Sequence, residues 1–451
     1  MSRPRTIQEL IHWLEVGAGA RWVRFGAMLG GMFALSLLVA WKQFRGPVNE
    51  TTLVQADMGR QLASGAGFST LVNYPQTAAV LKARGVAFDP LRPYPELHHA
   101  PLYPLVIAGG LRLIPEARRE AMFRSAPVPP DGYGGDYFLL ALNLSLLWLA
   151  TWLTYDLARR LFEPRVGWLA ALALLLSVPI WESAVAVNGT PLLLLLGLAV
   201  FSCWQRIDAI AEESGGERVA FGWIAALGAG CGLLFLSEYS SGCLAFVALA
   251  YAALRFRGRA AWLAVGVVAL SFAVVAAPWV ARNLTLTGHP VALAGQNVAL
   301  KFGDPTAEPA TVRATLSSDS PRLDLKKLGN KTLTSLQDNL KTRLWSGGAM
   351  WFAAFFVAGL LYAFRSPVAN RLRWVVAASL AVLLLAQAAL NSGESERHVA
   401  VWLAPLLIIF GAGFFFVLVG SNAVLSPWRR AVAAALWVAQ SVPLVHDVLE
   451  P

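Results

Sequence analysis

The chain has 451 residues, of which 57% are hydrophobic and 14% are charged, and its formal net charge is +10. This composition excludes an ordinary soluble globular protein. The arginines lie in short clusters between apolar stretches, a pattern typical of membrane topology signals, so no nucleic-acid partner is expected.

Apolar stretches long enough to cross a bilayer recur along the chain. A helix needs about 20 such residues to cross ~30 Å of hydrocarbon, so helices are expected to do the spanning. We predict an all-α, polytopic membrane protein that forms a single integral-membrane domain over residues 1–451, with about eleven transmembrane helices. The candidate spans are residues 22–41, 137–157, 166–181, 191–204, 221–236, 243–254, 261–280, 349–364, 374–390, 401–419 and 431–445.

The basic clusters predict the orientation of these spans. Arg3, Arg5 and their neighbours place the N-terminus in the cytoplasm, so residues 42–99 form a first large external loop. The clusters at residues 158–165, 255–259, 365–373 and 427–430 fall on the cytoplasmic side only if residues 100–115 do not cross. We therefore predict that residues 100–115 form a re-entrant or interfacial helix. Residues 283–345 form a second large external loop.

Ionisable side chains collect at span ends on the predicted outer face. They include His98, His99, Glu182, Glu238 and Glu396. Such groups are costly at membrane level unless they pair or line a wet cavity, so their convergence indicates a functional site, with solvated loop residues as the alternative. A carboxylate there can act as a general base, and arginine or histidine can hold a phosphate. The sequence has no Walker A motif and no Cys/His metal spacing.

Four motifs occur in a recognisable order along the chain. They are "NETTLVQADMGRQLASGAGFST", "HAPLYPLVIA", "APWVARNLTLTGHPVAL" and "SERHVAVWLAPLL". In this order they resemble the integral-membrane GT-C glycosyltransferases, and most of all the bacterial branch similar to protein O-mannosyltransferases and lipid A aminoarabinose transferases. The resemblance implies a GT-C-like fold, a polyprenyl-phosphate sugar donor, a large first external loop and catalysis on the outer face.

The resemblance also implies roles for single residues. His99 stands in an element similar to the family's His-Pro-Pro-Leu, with alanine for one proline, and is a substrate-cavity candidate. Arg282 and Asn283 match the family's Pro-Trp-x-x-Arg-Asn and are expected at the cavity rim. Arg397 matches the arginine of the Glu-Arg-Tyr element and is the first choice for gripping the donor phosphate, with His398 where tyrosine is usual.

The expected general base departs from the family pattern. The family's Asp-Glu pair would fall on Thr51 and Thr52, whereas Glu50 lies one residue earlier. Glu50 is therefore the first candidate for the catalytic base and Asp57 the second. If neither carboxylate faces the cavity, the protein is a degenerate member that binds without catalysing.

The sequence thus predicts transfer of a sugar from a polyprenyl-phosphate donor to a lipid, glycan or protein acceptor outside the bacterial cytoplasmic (inner) membrane. Membrane lipids are further expected partners. No cofactor is required by the sequence, which leaves a divalent metal open. Two alternatives remain: a transporter or flippase for a lipid-linked solute, and a non-catalytic assembly component or polymer ligase with the same fold.

Overall fold

The structure is a computed structural model that describes residue 13 and residues 18–47, 49–89, 91–124, 133–214, 219–302, 308–392, 397–420 and 426–449. These residues are almost entirely helical, as the hydropathy pattern predicts. The first half of the described chain forms α1 (Ala18–Gln43), α2 (Glu50–Ala63), β1 (Ser69–Thr70), α3 (Pro75–Ala83), β2 (Tyr94–Pro95), α4 (Leu102–Arg112), α5 (Glu116–Arg124), α6 (Gly134–Leu161), α7 (Pro164–Leu175), α8 (Val178–Val185) and α9 (Thr190–Glu213).

The second half begins with a long helical hairpin and ends with three helices near the C-terminus. Its elements are α10 (Phe221–Ser237), a 3₁₀ helix (Tyr239–Cys243), α11 (Leu244–Arg255), α12 (Gly258–Thr287), a second 3₁₀ helix (Ala292–Val298), α13 (Pro309–Arg313), α14 (Leu325–Asp338), a π-helical turn (Asn339–Arg343), α15 (Leu344–Ser346), α16 (Trp351–Gly359), α17 (Pro367–Leu390), α18 (Val399–Trp402), α19 (Ala404–Gly420) and α20 (Ser426–Leu449).

Five helices among the described residues, α1, α6, α9, α12 and α17, are long and apolar enough to cross a membrane. The pair α7 and α8 bends by 57° and brings the number to six if it is one broken span. Shorter apolar helices stand at several other predicted spans, including α10 and α19. The protein is therefore a multi-pass membrane protein, and the predicted total of about eleven crossings stays a prediction.

The predicted re-entrant segment contains one short helix, α4. Its eleven residues rise about 16 Å, well short of a bilayer core, and it buries Tyr103, Ile107 and Leu111. Helix α4 packs against α2 at Gly59, where an added Cβ would lie 2.5 Å from Ile107 Cγ2. Glycine is needed there because the two helices approach so closely. The predicted position of α4 at the outer membrane surface remains a prediction.

Helix α12 is longer than its predicted span, which was expected to end at residue 280. It continues to Thr287 and stops at Gly288, whose φ of +80° gives the left-handed cap that commonly ends a helix. Asn283 is consequently helical and fully buried. The prediction that the second external loop begins at residue 283 therefore places its start within a helix.

A buried ionic cluster joins three helices at the end opposite the site described below. The Asp208 carboxylate is fully buried and accepts from Arg255 Nε (2.7 Å), Arg371 Nε (2.8 Å) and Tyr251 Oη (3.0 Å). A buried carboxylate needs this degree of pairing. Arg371 lies about 28 Å along α17 from Leu390, at the other end of the helix. The cluster thus fixes the relative positions of α9, α11 and α17.

Candidate functional site

A polar cavity with a volume of about 450 Å³ is bounded by widely separated segments of the chain. They are the start of α2, the residues before α4, the junction of α10 and α11, the segment between α12 and α14, and the residues between α17 and α18. The predicted site residues that line it are His98, His99, Glu238 and Arg397. These four positions lie in three regions of the sequence that only the fold brings together.

Arg397 is the most firmly held charged group of the cavity. Its side chain is 4% exposed; Nη1 donates to the Ser237 carbonyl oxygen (2.9 Å) and lies 3.6 Å from Glu238 Oε2, and Nη2 donates to Gln55 Oε1. A Cβ on Gly189 would lie 3.2 Å from Arg397 Cζ, so the glycine gives the guanidinium its space. The cavity therefore contains a positive charge whose orientation is set before any ligand binds.

Two histidines are organised by a buried carboxylate, Glu96. Its Oε1 accepts from the backbone nitrogens of His98 (2.7 Å) and His99 (3.0 Å) and from His99 Nδ1 (2.8 Å). Burial alone would raise the pKa of Glu96, but His99 and these hydrogen bonds outweigh it and hold the pKa at about 2. Glu96 thus stays ionised and fixes the His99 ring with Nδ1–H as donor, while Nε2 is buried without a hydrogen-bond partner among the described residues.

His98, the neighbour of His99, is buried as well. Burial lowers the pKa of His98 to about 3, although Glu96 opposes the shift. His98 is therefore neutral at physiological pH and presents a polar but uncharged surface to the cavity.

Glu50 lies beside the cavity at the first turn of α2. Its neighbour Thr51 lines the cavity, and Glu50 Oε1 is 3.2 Å from Nη1 of Arg313, which also lines it. Arg313 ends α13 and lies over the Tyr74 ring. The Glu50 side chain is 46% exposed and so remains accessible from outside. This carboxylate borders the cavity with a basic partner that reaches into it.

Glu238 ends α10 inside the cavity. Besides its contact with Arg397, its Oε1 accepts from Asn391 Nδ2 at 3.4 Å. The adjacent Tyr239 hydroxyl accepts from Trp279 Nε1 (2.8 Å) and donates to the His99 carbonyl oxygen (3.4 Å). These contacts connect the end of α10 to α12, to α17 and to the residues before α4.

Asp57, the second candidate for the base, is turned away from the cavity. Its Oδ1 accepts from Arg60 Nη2 (2.8 Å), and its Oδ2 accepts from Thr70 Oγ1 (2.9 Å) and the Leu71 backbone nitrogen (2.6 Å). A carboxylate with several donors of this kind fixes local structure. Asp57 attaches the residues after β1 to α2.

Arg282 and Asn283 support the cavity wall from behind and do not line it. Arg282 donates from Nη1 to the Glu96 carbonyl oxygen and from Nη2 to that of Phe68, both at 3.0 Å, and its guanidinium stacks 4.4 Å from the Trp279 ring centre. Asn283 Nδ2 donates to the Pro290 carbonyl oxygen (3.1 Å). Both residues attach neighbouring loop segments to α12.

The remaining predicted residues lie elsewhere. Glu182 is an exposed residue of α8 and lines neither polar cavity. His398 caps α18 by accepting from the Ala400 backbone nitrogen at Nδ1 (3.1 Å), and it faces a second, smaller cavity. Burial lowers the pKa of His398 to about 4, so its ring is neutral. Glu396 lies outside the described residues.

Gln55, Asn391 and Arg313 are among the cavity residues that sequence analysis missed. Gln55 follows Thr51 by one helical turn on α2, so the helical period could have indicated it. Asn391 follows a predicted span directly, but an uncharged amide carries no topology signal. Arg313 lies in a long loop, where basic residues are not informative about orientation.

One side of the cavity is apolar. Phe235, Phe246 and Phe272 line it from α10, α11 and α12, and the Phe246 ring is 66% exposed. One of these three helices, α12, is long and apolar enough to cross a membrane.

No group of three or more His, Cys, Asp or Glu side chains that could hold a metal ion occurs in the part of the chain that the structure describes.

A family model described as dolichyl-phosphate-mannose-protein mannosyltransferase matches residues 139–279. That segment contains Glu238 and the aromatic wall but neither Glu50 nor Arg397. No curated protein sequence matches the chain.

Solved structures match nearly the whole chain in fold. The Archaeoglobus fulgidus oligosaccharyltransferase in the apo form has a TM-score of 0.54 at 13% identity, covering 93% of this chain and 55% of that one. The same archaeal enzyme, AglB, in complex with an inhibitory peptide and a dolichol-phosphate, has a TM-score of 0.56 at 13% identity, covering 95% and 56%. ArnT from Cupriavidus metallidurans bound to undecaprenyl phosphate has a TM-score of 0.51 at 15% identity, covering 94% and 71%.

These matches confirm the resemblance to the GT-C glycosyltransferases and the all-α polytopic fold. The chain spans little more than half the length of the oligosaccharyltransferase. That enzyme is also known in a complex with Zn and sulfate.

Proposed function

We propose that the protein transfers a sugar from a polyprenyl-phosphate donor to an acceptor on the outer face of the bacterial cytoplasmic membrane, with its N-terminus in the cytoplasm. The observation that carries this proposal is the single cavity where Arg397, Arg313, His99 and Glu238 meet beside Glu50. A GT-C fold supports the reaction class, and the basic groups and the apolar wall support the donor class.

The donor side of the proposal depends on two features of the cavity. Arg397 and Arg313 supply positive charge for a phosphate, and arginine suits phosphate because its planar fork presents several donors at once. Phe235, Phe246 and Phe272 supply an apolar surface for the first isoprene units. AglB and ArnT have been solved with dolichol-phosphate and undecaprenyl phosphate, which supports a lipid phosphate as the donor carrier.

Glu50 is the better candidate for the base. Asp57 is occupied by donors that fix its own loop, whereas Glu50 is accessible beside the cavity. In the proposed reaction Glu50 accepts the proton of the acceptor hydroxyl, whose oxygen attacks the anomeric carbon. The bond from that carbon to the phosphate oxygen breaks, the electron pair leaves with the polyprenyl phosphate, and Arg397 stabilises the negative charge. Attack opposite the leaving group inverts the anomeric centre.

Arg313 connects the base to the donor in this scheme. It pairs with Glu50 in the structure, and a donor phosphate in the cavity would compete with Glu50 for the guanidinium. The acceptor, a lipid, a glycan or a protein, would enter past residues 42–99 and 283–345. The family model and the peptide bound to the archaeal neighbour are compatible with a protein acceptor.

The test is a transfer assay in proteoliposomes with a labelled polyprenyl-phosphate sugar, comparing wild type with Glu50→Gln. Glu116→Gln is the matched control, because that carboxylate is exposed on α5 and does not line the cavity. We expect Glu50→Gln to lower transfer about 10²-fold or more while donor binding persists. Undiminished transfer by Glu50→Gln would remove this residue from the mechanism.

A further inference from the structure

A second polar cavity, of about 210 Å³, lies beside the cavity lined by Arg397 and His99, which is called the reaction cavity below. It is formed by the end of α14, the π-helical turn, the end of α17 and His398. The two cavities meet at Asn391, which lines both and whose side-chain amide donates to Glu238 in the reaction cavity. A ligand in the second cavity would therefore lie next to the reacting groups.

Gln387 makes hydrogen bonds to the backbone on both sides of His398, between the two cavities. Gln387 Nε2 donates to the Arg397 carbonyl oxygen (3.1 Å), and its Oε1 accepts from the Val399 backbone nitrogen (3.1 Å). Arg397 consequently faces the reaction cavity while the next residue, His398, faces the second one. The geometry of the second cavity is thus coupled to that of the residue expected to hold the phosphate.

The lining of the second cavity offers fixed donors and acceptors. His398 Nδ1 accepts from a backbone nitrogen, so Nε2 carries the proton and donates to Asn339 Oδ1 (2.7 Å), which leaves the Asn339 amide NH₂ as a donor. The hydroxyls of Thr334 and Ser335 can both donate and accept. Phe302, half exposed, adds an aromatic face.

The charge and composition of the second cavity argue against a phosphate and against a prenyl chain as its ligand. Asp338 Oδ2 accepts from Arg343 Nε at 2.9 Å, so carboxylate and guanidinium neutralise each other, and the His398 ring is neutral. A phosphate would bind more strongly to Arg397 and Arg313 of the reaction cavity. Among the described residues that line it, only Phe302 and Ala388 offer apolar contacts, too few for a prenyl chain. What remains is a small, uncharged molecule with many hydroxyl groups.

We propose that this cavity, between α14 and the end of α17, binds one neutral pyranose ring, with Thr334 and Asn339 on its hydroxyls and Phe302 against its C–H face. The proposal rests on the proposed function, because the sugar would be one that takes part in transfer. It is either the sugar carried by the donor or a sugar of a glycan acceptor.

Direct binding separates this proposal from the proposed function. Saturation-transfer NMR on the purified full chain uses methyl mannoside, methyl glucoside and methyl galactoside as probes, and undecaprenyl phosphate binding is measured separately. We expect at least one glycoside to bind, and Thr334→Val and Phe302→Ala to weaken it about 5- to 10-fold, the size of one lost hydrogen bond or contact. Undecaprenyl phosphate binding should not change. Thr342→Val is the matched control, since Thr342 lies on the adjoining turn outside the lining.

The two binding measurements test the pyranose site and the donor class separately. If no glycoside binds, or if the variants bind as wild type does, the pyranose site is wrong, and the transferase proposal is judged by undecaprenyl phosphate binding alone. If a glycoside binds but undecaprenyl phosphate does not, the site stands and the donor class falls. In the transfer assay, a raised KM for the donor in Thr334→Val identifies the donor sugar as occupant, and a raised KM for the acceptor identifies the glycan.

Discussion

Replacement of Arg397 by lysine tests whether Arg397 stabilises the leaving phosphate. The guanidinium is positioned by Ser237, Gln55 and Glu238, and a lysine ammonium can keep the charge but cannot make these contacts and face a phosphate together. Removing one preorganised donor to a developing negative charge typically costs about 2.7–4 kcal/mol. Because lysine retains the charge, we expect the lower end, about a 100-fold loss in kcat, and about 1,000-fold for Arg397→Gln.

The assay is sugar transfer at saturating donor, with thermal melting to verify folding. Gln55→Leu serves as a second variant, since it removes one hydrogen bond from Arg397 and leaves the charge in place. We expect it to lower kcat by only about 10-fold. Wild-type kcat in folded Arg397→Lys, or an equal loss in Gln55→Leu and Arg397→Gln, would refute the reasoning.

Three further predictions concern stability. Asp57→Asn should lower the free energy of unfolding by about 1.5–3 kcal/mol in denaturant titrations, because it weakens the charge-assisted hydrogen bonds to this side chain. The folded fraction should keep the wild-type kcat. A loss of kcat at unchanged stability would contradict this prediction. The pKa values of Glu96 (about 2, ordinarily 4.5) and His98 (about 3, ordinarily 6.5) are lowered, so the unfolded chain binds more protons and the melting temperature should fall from pH 7 to pH 3. His98 accounts for the fall below about pH 6.5 and Glu96 for an added fall below about pH 4.5, so Glu96→Gln should be less steep below pH 4.5; a flat wild-type profile would contradict the burial of these two groups. Lys331→Met should lower the melting temperature and raise the KM for the donor. The Lys331 ammonium donates to the carbonyl oxygens of Asn297 (2.7 Å) and Ala389 (3.1 Å) beside the cavity, and these hydrogen bonds would be lost. An unchanged donor KM would show that Lys331 does not support the donor site.

Hydropathy was sufficient to predict the fold class, because every long apolar segment must satisfy its backbone hydrogen bonds internally and therefore forms a helix. Helix ends were predicted less well. Helix α12 extends to Gly288, which a hydropathy pattern does not register, and residues 349–364 contain only the nine-residue helix α16.

Motif order indicated Arg397 and His99 as site residues, and both line the cavity; their roles stay predictions. It did not show that Arg282 faces backbone carbonyls, because the direction of that side chain depends on the packing of the first loop against α12. Arg313 lies more than 250 residues from Glu50 in sequence, so only the fold shows that the two residues form an ion pair.

The most direct test of the central claim is a cryo-electron microscopy structure of the protein with undecaprenyl phosphate. The account predicts phosphate density within hydrogen-bond distance of Arg397 or Arg313, and isoprene density along Phe235, Phe246 and Phe272. Phosphate bound outside this cavity, with Arg397 still engaged only by Gln55, Ser237 and Glu238, would contradict it.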